Sequence, residues 1–86
     1  MPIGTVFGNI TPKSFTFYTE QDVAEGEDIF VFHEFYKNIS CKITNVQTRN
    51  SNTIVQCAVV GFTNKHGQLQ LPRIPIQSGT KVYRRR

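Results

Sequence analysis

The stretch "ISCKITNVQTRNSNTIVQCAVVGF", residues 39–62, decides the fold. Strict alternation puts Ile39, Cys41 and Ile43 on one face, after which the apolar parity passes to Val46. One extra residue near Thr44 and Asn45 has this effect, and the extra residue of a β-bulge bends a strand as a barrel requires. "RNSN", residues 49–52, is a tight polar turn, and "TIVQCAVVGF", residues 53–62, returns as the longest β-branched run in the chain. A long hairpin bent in the middle is the core of a curved sheet.

The flanking segments are consistent with this. "IGTVFG", residues 3–8, is a short strand with glycine near both ends, and a turn follows at 9–13. "SFTFYT", residues 14–19, alternates, with Phe15 and Phe17 on one face and Thr16 and Tyr18 on the other. "EQDVAEGED", residues 20–28, breaks the pattern; Gly26 closes at most one helical turn in the left-handed region, and Val23 plugs inward. "IFVFHEFY", residues 29–36, is apolar at nearly every position, so it is a strand buried on both faces or a barrel strand whose outer face is covered. "TNKHGQ", residues 63–68, is an exposed loop; Leu69 and Leu71 pair briefly, and "KVY", residues 81–83, is a last short strand. The expected fold is all-β, a small closed or nearly closed six-stranded barrel with no regular long helix. Periodicity alone leaves OB-type and SH3-like topologies open.

Eighty-six residues make one domain that buries about two thirds of its unfolded surface. Seven Phe and three Tyr with no Trp, among many Val, Ile and Thr, favour strands. No apolar run is long enough to cross a membrane, and Met1-Pro2-Ile3-Gly4 opens without a basic and apolar leader, so a soluble, unsecreted chain is expected. Cys41 and Cys57 are too few for a disulfide scaffold and lack zinc-site spacing, which fits a reducing cytoplasm.

Net charge is +4, and Arg84, Arg85 and Arg86 supply three of those charges. All six carboxylates, Glu20, Asp22, Glu25, Glu27, Asp28 and Glu34, fall within residues 20–34, where no Lys or Arg occurs. A protein built to lie along DNA presents a broad positive face. This chain is bipolar, which suits contact between copies or with another protein.

Enzyme chemistry finds no support in the sequence. Gly79-Thr80-Lys81-Val82 has neither the order nor the upstream glycine of a phosphate-binding loop. His33 and Glu34 are adjacent in a strand reading and face opposite ways, which removes the acid/base pair. His66 sits in a loop without partners for a metal. With the turn centred near Ser51, Cys41 faces a position close to Val60 rather than Cys57, so both thiols are core residues. The acidic cluster lacks the D-x-[DN]-x-[DN]-G rhythm of a calcium loop. No catalytic residue, cofactor site or metal site is assigned.

"IGTVFGNITPKSFTFYT", then "QDVAEGEDIFVF", a hairpin ending in "AVVGF", and "LPRIPIQSGTKVYR" together resemble the HAS-barrel. That is the N-terminal β-barrel of HerA-type ATPases, named for its likeness to the barrel that opens the subunits of rotary ATP synthases. The resemblance covers nearly the whole chain. Its most specific part is the exit segment with Pro72, Arg73, Pro75 and Gly79, which in the family hands the chain to a RecA-like motor domain. It implies residues 1–83 as the barrel, 84–86 as a basic tail toward an ATPase domain that the sequence does not contain, and an excised N-terminal domain. The implied parent is a hexameric, mostly archaeal DNA translocase or helicase acting in DNA end processing and repair. Its barrels form a ring that assembles the hexamer and docks a NurA-like nuclease.

The expected function is therefore a non-catalytic assembly and docking barrel, with neighbouring copies and a nuclease as partners, weak or indirect DNA contact and no membrane contact. Glu20, Asp22, Glu25, Glu27, Asp28, Phe30, Phe32 and Tyr36 are the expected interface. The alternative is a stand-alone barrel binding single-stranded nucleic acid through tyrosines and the tail Arg84, Arg85 and Arg86.

Overall fold

The computed structural model describes residues 2–49 and 52–84. These form seven strands and no helix: β1 (Gly4–Thr11), β2 (Ser14–Thr19), β3 (Asp28–His33), β4 (Lys37–Arg49), β5 (Asn52–Thr63), β6 (Leu69–Gln70) and β7 (Lys81–Arg84). Six of them close a ring. The order β2-β1-β7-β3-β4-β5 returns to β2 through the β2–β5 pairing, and β6 hangs on β5 outside it. Every pairing is antiparallel. The protein is a closed six-stranded all-β barrel.

Period-2 alternation fills the interior from every wall. Val6, Phe15, Phe17, Ile29, Val31, Ile39, Cys41, Ile43, Val55, Cys57, Val59 and Val82 are buried, joined by Ile3 and Ile76 from outside the strands. Val23 packs against this cluster, as expected from the sequence. Thr19 is buried too, its hydroxyl donating to the Ile3 carbonyl and accepting from Gln21 N at 3.0 Å. Truncating Phe17 to alanine would leave a cavity worth about 3–5 kcal/mol.

The bulge expected near Thr44 is present. Ile43 faces Cys57 and Asn45 faces Gln56, so Thr44 is the extra residue. It also moves the partner of Cys41 from Val60 to Val59. A second bulge was not legible in the sequence: Ser40 faces Gly61 while Cys41 faces Val59, leaving Val60 without a partner on β4. Gly61 is required there. Its φ is 142°, and an added Cβ would lie 2.6 Å from the Gln70 carbonyl oxygen of β6.

Several boundaries differ from the sequence expectation. β1 runs on to Thr11, leaving only Pro12 and Lys13 as the turn, because a register shift between Phe7 and Thr11 breaks the alternation there. The strand expected over 29–36 ends at His33, and Glu34 to Tyr36 form a turn. The acidic segment has no helical turn; Ala24 to Glu27 form a reverse turn, with Glu27 N bonded to Ala24 O at 3.1 Å and Gly26 at φ 84°. Leu69 pairs with Thr63, whereas Leu71 lies beyond β6. Arg84 belongs to β7 rather than to a tail, and Arg85, Arg86 and the turn residues Asn50 and Ser51 lie outside the described residues.

β7 completes the ring. Gly4 faces Val82 on one side, and Val31 faces Val82 on the other. Its approach is fixed by Val6 N to Thr80 O and Gly79 N to Val6 O, both 2.8 Å.

Candidate functional site

The β3–β4 turn begins with an imidazole. His33 Nδ1 accepts from Phe35 N at 3.0 Å and Tyr36 N at 3.4 Å, which curls the chain immediately after β3. Lys37 completes the reversal at φ 64°. The curl sends neighbouring aromatics in opposite directions. Phe35 is 73% exposed, while the Tyr36 ring turns onto Phe62 at 4.4 Å and His33 at 4.9 Å.

The Tyr36 hydroxyl then holds the segment between β6 and β7. It accepts from Arg73 N at 3.1 Å and Ile74 N at 3.3 Å. Pro72 and Ile76 are buried on either side, leaving Ile74 at the surface. The result is a groove of about 390 Å³ walled by Phe32, Phe35, Ile74, Gln77 and Thr80. Phe32 is 54% and Ile74 42% exposed, so the groove presents three large apolar side chains to solvent. Lys37 Nζ stands 5.9 Å from the centre of the Phe32 ring.

A second apolar concavity of about 340 Å³ lies on the outer faces of β1, β2 and β5. Thr5 faces Tyr18, and Tyr18 faces Ile54, in one cross-strand row, with Phe7 beside it. Tyr18 donates its hydroxyl toward Glu20 Oε1 and Asn52 Oδ1, each at 3.2 Å. The bond to Glu20 raises the Tyr18 pKa above its ordinary value.

Two carboxylates of the acidic segment pair within the barrel. Glu27 pairs with Arg84 at 2.5 Å, and Arg84 also donates to the Asp22 carbonyl. Asp28 lies 3.7 Å from Lys42. Glu25 is exposed. Opposite charges separated in sequence thus meet inside one copy. Of the aromatic residues expected at an interface, Phe32 is exposed, Phe30 stacks on Tyr83 at 5.4 Å, and Tyr36 is half-buried. In the exit segment, Arg73, Pro75 and Gly79 are at the surface and Pro72 is not. Phe35, Ile74 and Phe7 were missed by the sequence reading. A strand read through to Tyr36 points Phe35 inward, and only the turn at Glu34 reverses it.

Neither thiol is poised for chemistry. Burial pushes Cys41 up to about 12, and burial together with the neighbouring Cys41 pushes Cys57 up as well. Among the described residues no group of three or more His, Cys, Asp or Glu side chains is arranged to hold a metal ion. No helix among them is long and apolar enough to cross a membrane. No known family model matches the chain, and no curated protein matches it.

Proposed function

We propose that the chain is a non-catalytic docking and assembly barrel of the HAS type, the module that opens HerA-like hexameric ATPases of DNA end processing. It acts in the cytoplasm, with neighbouring copies and a NurA-like nuclease as its partners. The observation that supports this reading is the groove of Phe32, Phe35 and Ile74, three large apolar side chains exposed together on a small closed barrel. Apolar side chains clustered in this way mark contact surfaces, whereas singly scattered ones do not. One wall of the groove, Ile74, Gln77 and Thr80, belongs to the exit segment, which in the resembled family passes the chain to the motor domain.

The nucleic-acid reading is weaker because Arg84 is held by Glu27. Two remaining tail arginines give a log–log salt slope of about −1.4 at most on a single strand.

The test combines two titrations of the chain. ATP with magnesium is expected to give no heat of binding and no turnover, and a labelled single-stranded oligonucleotide is expected to bind weakly with a shallow salt slope. Turnover, or a slope of about −3 or steeper, would reject the docking reading. The coding region that follows Arg86 supplies an independent check, since a phosphate-binding loop soon after it is expected.

A further inference from the structure

The two apolar patches are unlike in shape, and they sit on opposite sides of the barrel. The dish of Phe7, Tyr18 and Ile54 is centred on β2, and the groove is built against β3. In the closed ring β2-β1-β7-β3-β4-β5 those two strands are three positions apart, which in a ring of six is diametrically opposite. At the groove the most exposed large apolar side chain, Phe35, stands out from a turn. At the dish Phe7 is only 39% and Tyr18 36% exposed around a concavity of about 340 Å³.

The charges around them are complementary. Glu34 precedes Phe35 in the turn, and Lys37 follows at the head of β4, its Nζ donating to the Glu34 carbonyl at 3.3 Å. Beside the dish, Glu20 accepts from Tyr18, and Lys81 Nζ bonds Thr5 Oγ1 at 3.0 Å. Lys37 can therefore meet Glu20 while Glu34 meets Lys81. Exposed pairs of this kind set register more than affinity. The affinity comes from an aromatic side chain desolvated in a pocket.

We infer that Phe35 of one copy inserts into the Phe7–Tyr18–Ile54 dish of the next, so that copies associate head to tail through two different surfaces. This deepens the assembly reading above and rests on it. A contact between unlike surfaces on opposite sides of one molecule propagates from copy to copy, closing into a ring or continuing according to the rotation at each step.

A mixing experiment tests the contact. Phe35→Glu removes the knob and keeps the dish, whereas Phe7→Glu spoils the dish and keeps the knob. Both positions are exposed, and circular dichroism checks that each variant folds, with Phe7→Thr as a milder second dish variant. Sedimentation equilibrium of the unaltered chain is expected to show association that grows with concentration. Each variant alone is expected to associate at least tenfold more weakly, and an equimolar mixture of the two to regain pairs but nothing larger. Such pairs form because one intact dish and one intact knob remain between the two variants.

Association unaffected by either variant overturns the knob-and-dish contact and leaves an assembly barrel with a different interface. Variants that fail alone and also fail when mixed overturn the head-to-tail arrangement. A chain that stays monomeric at millimolar concentration overturns the contact altogether, while the docking reading is still judged by the nucleotide and oligonucleotide titrations.

Discussion

Arg84 reaches back across the barrel wall to Glu27, its Nε 2.5 Å from the carboxylate, while its Nη2 donates to the Asp22 carbonyl. This joins the last strand to the acidic segment. Of the exposed and half-buried carboxylates in that segment, Glu27 is the one whose reversal reaches the fold, because Glu27→Lys places a cation against Arg84. Glu27→Lys is expected to lower the melting temperature by several degrees, roughly 1 kcal/mol, with part of the loss masked in high salt. Glu25→Lys is expected to leave it unchanged. Thermal circular dichroism at two salt concentrations compares them, and equal effects would show that the ion pair adds nothing.

The Tyr36 hydroxyl is the acceptor for Arg73 N and Ile74 N. Tyr36→Phe keeps the ring against Phe62 and removes only that acceptor. Global stability should fall by about 0.5–1.5 kcal/mol, since the freed amides are near water. Amide hydrogen exchange is the sharper readout. Exchange at residues 73 and 74 should quicken while the amides of β5 stay protected.

Gly61 and Gly67 both have positive φ, yet only Gly61 is crowded. Gly61→Ala drives a methyl into the Gln70 carbonyl, and its cost is expected at about 2–4 kcal/mol with loss of β6 pairing. Gly67→Ala meets open space and is expected to cost about 1 kcal/mol. Urea denaturation of the two variants gives the difference. Equal midpoints would mean that β6 moves aside freely.

Burial disfavours the thiolates of Cys41 and Cys57, so both groups hold their protons in the folded chain to higher pH than in the unfolded one. Unfolded thiols ionise from about pH 9, which pulls the equilibrium toward unfolding. Stability from these groups is therefore complete below about pH 9 and lost progressively toward the Cys41 value of about 12. A thiol reagent at pH 8 should label both cysteines slowly in the native chain and rapidly in denaturant. Rapid labelling without denaturant would show that the β4–β5 wall opens locally.

The barrel was legible because its walls obey a period of two. Phe15 and Phe17 and the parity change at Thr44 reported strands with one face inward, whereas the nearly continuous apolar run from Ile29 left both faces open and only the structure shows Ile29 and Val31 as its inward side. The second bulge was hidden because Val60 and Val59 are chemically alike, so the sequence carries no mark of which one has no partner. The exposed apolar groove was harder still. Phe35 follows an apolar run without a glycine or proline to announce the turn, and the signal that bends it is His33, whose ring nitrogen accepts two amides. Ile74 and Phe7 become neighbours of other apolar groups only after residues far apart in the chain pair. The separation of charges along the sequence was also misleading, because Arg84 and Glu27 lie 57 residues apart and yet touch.

The place of β7 between β1 and β3 has a consequence for how the molecule is made. On the ribosome, β1 and β2 emerge early and can pair as a hairpin, but the outer edge of β1 has no partner until residues 81–84 leave the exit tunnel. β3 waits on its own free edge for the same four residues. Closure therefore waits for residues 81–84 and depends on the contact of highest sequence separation, the kind that slows folding. Until that moment the nascent chain carries two open strand edges, each a template for pairing with other chains. Fast translation through the loop before β7 shortens that exposure, and a pause there lengthens it.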